Sequence, residues 1–170
     1  MAGSLTRHLV TALIVLVVAA GCAPDPELLT SDVEAAVADS LLPVVVAGLD
    51  CTDVARLDPA SGGSFGCAGM VDGDAVDVDG ALAPMSETTI DIEVVLATAL
   101  LDVAAVETNA AIRLDADLGD SPSVTCPVSF VVISVGRQFT CRVDRVSGTS
   151  QDIAITIVDG DGNWEINPFP

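Results

Sequence analysis

Hydrophobic positions change period along this chain, and each change marks an element. An apolar stretch from 9 to 20 comes first. Beyond it, Val33, Ala36, Val37, Leu41 and Val44 fall on one stripe of a helix, while Asp32, Glu34 and Asp39 face away. Ser31 with Glu34 makes a capping box at its start, and Pro43 limits its last turn. The same stripe returns at Val103, Val106, Ala110, Leu114 and Leu118, between Asp102 as cap and Gly119 as stop. After each helix the period shortens. Residues 152–157 alternate strictly, as a half-buried strand does. Strands are predicted over 128–134, 138–146, 152–158 and 163–167, with turns at Gly136, Gly148 and 159–162. A fainter set, 75–78 and 88–95, follows a Gly-rich loop at 62–66. The expected class is α+β: a tandem duplication, each copy one N-terminal helix packed on a three- to four-stranded antiparallel sheet.

Cysteine placement strengthens the duplication. The string GGSFGC at 62–67 recurs as GRQFTC at 136–141, so Gly62, Phe65 and Cys67 have counterparts in Gly136, Phe139 and Cys141. Cys51 has a counterpart in Cys126, and Val33-Glu34 in Val106-Glu107. Ile90 and Ile92 stand as far from Cys67 as Trp164 and Ile166 do from Cys141. Four cysteines allow three connectivities. Duplication favours the local one, Cys51 with Cys67 and Cys126 with Cys141, because only then does each copy carry its own bridge. With about seventy residues per copy and few aromatics, neither core is large, and domains of that size need a staple.

The fifth cysteine belongs to the leader. Arg7 and His8 precede the apolar stretch, and Ala19-Ala20-Gly21 precedes Cys22, the layout of an export signal over 1–21. Ala20-Gly21-Cys22 resembles a bacterial lipobox, although Ala19 stands where Leu is usual. That resemblance implies diacylglyceryl and N-acyl (palmitate-type) chains on Cys22; the alternative is an ordinary cleaved signal beside an incidental cysteine. A tether over 22–29, kept extended by Pro24 and Pro26, would reach roughly 25 Å at most. The first copy then spans 30–95 and the second 96–170. The expected address is the outer face of the cell membrane.

Charge narrows the partners. The mature part would carry 5 arginines, no lysine and 25 acidic residues, a formal charge of −20. Such a surface repels nucleic acid and anionic headgroups. The only histidine lies in the leader, so neither a His base nor a His metal site is available to the mature chain. No CxxC occurs, which argues against redox exchange. Asp159-Gly160-Asp161-Gly162-Asn163 starts like a calcium loop, yet Trp164 and Pro170 stand where Gly and Glu are required, so a hairpin turn is favoured. Asp72, Asp74, Asp77 and Asp79 read as a solvated turn and strand face. Trp164 is either a packed strand residue or a contact site, and packing is favoured.

Val124-Thr125-Cys126-Pro127, then Gly136 to Val143, Gly148 and 159–162, resemble the small actinobacterial lipoprotein family catalogued as domain of unknown function 4333. The resemblance covers about 102–167; over about 30–93 it is diverged, with Thr52 in place of the proline. It implies a fold and an address but no catalytic residue. The expectation is a lipid-anchored, non-catalytic envelope protein, with no cofactor or metal, that binds an envelope protein or wall component. The alternative is a regulator or inhibitor of a secreted or cell-wall enzyme.

Overall fold

The computed structural model describes residues 9–15, 30–58, 61–86 and 89–167. The chain divides between Thr98 and Ala99 into two compact units, lobe one and lobe two, each with its own core.

Lobe one starts from the helix α1, Thr30–Ser40. Val33, Ala36 and Val37 of the predicted stripe form its inner face; Leu41 and Val44, beyond the end of the helix, are buried as well. Fully burying each valine or leucine among them contributes roughly 1.5–3 kcal/mol. The strands are β1, Leu9–Val15; β2, Ala47–Thr52; β3, Gly63–Val71; β4, Asp74–Ser86; and β5, Thr89–Leu96. They form one antiparallel sheet in the order β1-β5-β4-β3-β2. Asp72 (φ 49°) and Gly73 (φ 90°) join β3 to β4 in a two-residue turn whose positive angles suit the strand twist. Within the expected leader, the backbone of β1 pairs with β5.

Lobe two contains β6, Leu100–Asp102; α2, Val103–Leu118; β7, Ser123–Thr125; β8, Phe130–Val132; β9, Gln138–Asp144; β10, Ser150–Ile157; and β11, Trp164–Ile166. Both caps of α2 fall where the sequence places them. The Asp102 carboxylate accepts from the Ala104 amide at 3.0 Å, and Gly119 ends the helix at φ 69°. The main sheet runs β11-β10-β9-β7, and β6 pairs separately with β8. Counted from each helix, β2-β3-β4-β5 in lobe one and β7-β9-β10-β11 in lobe two follow the same neighbour order.

Three local expectations are corrected. The Gly-rich segment at 62–66 is not a loop: Gly63 onward is strand β3. Its glycines and those facing it admit large neighbours, since a methyl group at Gly80 would overlap the Phe65 ring, and one at Gly69 the Val46 side chain. The strand expected over 128–134 shrinks to β8 and pairs outside the main sheet, with β6. Ser31 lies inside α1, and Glu34 reaches to another element instead of closing a capping box.

Candidate functional site

The most distinctive geometry in each lobe is where helix, first cysteine and sheet meet. In lobe one, Cys51 on β2 stands directly across the ladder from Cys67 on β3, and the two form a disulfide with Cα atoms 4.0 Å apart. The Cys51 amide donates to Glu34 Oε1 of α1 at 3.2 Å. In lobe two Cys126 and Cys141 form the second disulfide, Cα atoms 4.2 Å apart, and the Cys126 amide donates to Glu107 Oε1 of α2 at 2.6 Å. A carboxylate accepting a partly buried amide makes a charge-assisted bond that pins the helix to the staple. The alignment of Val33-Glu34 with Val106-Glu107 carried the signal for this bond. Placing Glu34 on the outward face concealed it.

The junctions differ just past the first cysteine. Pro127 has no amide to extend a ladder, and β7 ends before Cys126. Thr52 does have one: β2 runs on through it, and its hydroxyl donates to the Gly66 carbonyl at 3.3 Å.

Trp164 is half-buried against the lobe-two core, with the Arg113 guanidinium 4.3 Å from its ring centroid. Packing on one side and a cation on the other account for the indole. The ladder Phe139–Ile155–Ile166 in lobe two corresponds to Phe65–Gly80–Val94 in lobe one. Trp164 therefore takes the place of Ile92, and Ile166 that of Val94. The expected match of Ile90 and Ile92 is displaced by two residues, a slip that preserves the alternation of the strand.

The turn at 159–162 is held by its own first residue. Asp159 accepts from the Asp161 amide at 3.0 Å, the Asn163 amide at 2.9 Å and the Asn163 side-chain amide at 2.6 Å. The Asn163 side-chain bond, then its backbone bond, hold the Asp159 carboxyl below its ordinary value. Bonds from Ser150 and Arg142 do the same for Asp144. Asp77 and Asp79 are exposed on β4 and alternate with buried Val76 and Val78, the solvated strand face that was expected. Among the described residues no group of three or more His, Cys, Asp or Glu is placed to hold a metal ion.

Of the sequence-derived site residues, Cys51, Cys67, Cys126 and Cys141 are placed and bridged, whereas Cys22 lies outside the described residues. Among the described residues, no helix is long and apolar enough to cross a membrane. Residues 88–162 match the family model described as domain of unknown function DUF4333, beginning earlier than the expected residue 102 and stopping short of 167. No curated protein and no solved structure matches the chain.

Proposed function

We propose that this chain is an exported lipoprotein whose two lobes are copies of one unit. The leader over 1–21 is removed, Cys22 carries the acyl chains, and the lobes sit at the outer face of the membrane. There they bind an envelope protein or wall component without catalysing a reaction. The carrying observation is the junction common to both lobes, a helix glutamate on the amide of the first cysteine of a local disulfide. Bridges persist in oxidising compartments outside the cytosol, which supports export. The same strand order and the same junction support duplication. Closure of all four lobe cysteines in bridges, with the sole histidine in the leader, leaves neither a thiol nucleophile nor an imidazole base and supports a binding role. An Ala, Val, Asp and Gly bias with Arg but no Lys supports a high-G+C, actinobacterial source.

Intact mass of the membrane-extracted protein should exceed the mature chain by an acyl-glyceryl group, and Cys22→Ser should release the protein into the medium. An unmodified Cys22 at the mature terminus overturns the anchor. Crosslinking in the native envelope should capture a partner or wall polymer; turnover of that polymer by the purified chain overturns the non-catalytic reading.

A further inference from the structure

We infer that in the mature chain the edge of β5 vacated by β1 is a docking site for an extended, basic strand of an exported partner. The inference rests on removal of the leader as proposed above. β1 pairs with β5 antiparallel over its whole length, from Leu9 opposite Val95 to Val15 opposite Thr89. This edge therefore accepts an extended backbone in a defined register. Once residues 9–15 are excised, the eight residues of β5 keep β4 on one side and present unpaired amides and carbonyls on the other. The opposite edge of the sheet is blunted: β2 is shorter, and its register shifts between Ala47 and Asp50. Strand addition therefore has one regular edge to use.

The side chains of β5 select the occupant. Ile92 and Val94 are buried in the core, while Asp91 and Glu93 occupy the alternate face. With β1 in place Asp91 is half-buried, and its Oδ1 is inaccessible to solvent yet has no hydrogen-bond partner, so the leader strand leaves this carboxylate unanswered. The leader puts Leu13 and Thr11 in register with Asp91 and Glu93. A strand with arginine at those two positions would bring opposite charge and donors to both carboxylates. A second copy fits badly in the two longest registers that keep the buried and exposed faces matched. Antiparallel pairing of β5 with itself about Ile92 sets Asp91 against Glu93, and pairing about Glu93 sets two Glu93 carboxylates together. The formal charge of −20 on the mature chain steers a cationic segment inward and another copy away.

The test uses the mature chain, residues 22–170 with Cys22→Ser, and two capped seven-residue peptides. One is the leader strand 9–15; the other carries Thr11→Arg and Leu13→Arg. The arginine peptide should bind at least about tenfold more tightly and slow amide exchange along β5 but not β2. Glu93→Gln, alone and with Asp91→Asn, should erase that preference while thermal unfolding stays unchanged. Equal affinity for the two peptides, or protection away from β5, overturns the inference. So does a dimer that excludes the peptide, which would assign the edge to a second copy. N-terminal sequencing of the exported protein separates the two readings. Retention of residues 9–15 overturns both the leader and the docking edge; a removed leader with no peptide binding overturns the docking edge alone.

Discussion

Phe65 and Phe139 occupy the same place in the same motif, yet one is 5% exposed and the other half-buried. The cause lies across the ladder. Phe65 faces Gly80, whose missing side chain lets the ring lie flat in the core, whereas Phe139 faces Ile155, which is fully buried and fills that space itself. Displaced from the centre, Phe139 bridges two clusters, the main core of lobe two and the smaller one around Val103, Val131 and Ile157. A motif thus fixes which face a residue takes. How deep it sits depends on a partner on the next strand.

The sharpest way to break the comparison is to truncate both rings. Phe65→Ala should cost about 3–5 kcal/mol and unfold lobe one, while Phe139→Ala should cost about 2 kcal/mol, both read from urea titrations. Equal losses would show that the cross-strand partner does not set depth. Next come the bridges, which should be equivalent. Sequence separations of 16 and 15 predict that replacing either cysteine pair with alanine costs about 3 kcal/mol. Non-reducing peptide mapping should join 51 to 67 and 126 to 141, and any peptide joining the two lobes would contradict the structure.

Smaller again is the loss of the helix glutamates. Glu107→Ala should cost about 2 kcal/mol and Glu34→Ala about 1 kcal/mol, because the bond at 2.6 Å is the tighter of the two. Reversal of that order would detach bond length from strength here. The smallest effect is the pH response of the lobe-two turn. Asp159 has a lowered folded value, so its contribution is present above about pH 4, its unfolded range, and is lost as pH falls through the folded value. Amide shifts of Gly160 and Gly162 should follow that loss in the wild type and cease to do so in Asp159→Ala.

Much of this was legible in the chain. The helical stripes, the caps of α2 and the strict alternation in β10 are local patterns, and local patterns survive without knowledge of the fold. The cysteine partners were legible because the string around Cys67 recurs around Cys141, which favours a bridge within each half. The β6–β8 ladder was not: each strand is three residues long, and the pairing joins residues on opposite sides of a helix in sequence. The Gly-rich segment at 62–66 was not legible as strand for a related reason. Glycine signals a turn when judged alone; here Gly63 is a strand position where bulk would collide with Leu57, while Gly66 pairs in the ladder with open space around it. Glu34 reads as solvent-facing in the sequence because its acceptor role depends on an amide 17 positions away.

Trp164 is the only tryptophan, and the chain has no tyrosine. Near-ultraviolet emission from this protein therefore arises almost wholly from lobe two, and the stacked Arg113 makes that signal sensitive to the hold of α2 on β11. Lobe one contributes almost nothing to that emission. A fluorescence melt will follow one half of the molecule, and a discrepancy between it and the far-ultraviolet circular dichroism melt measures how independently the other half unfolds.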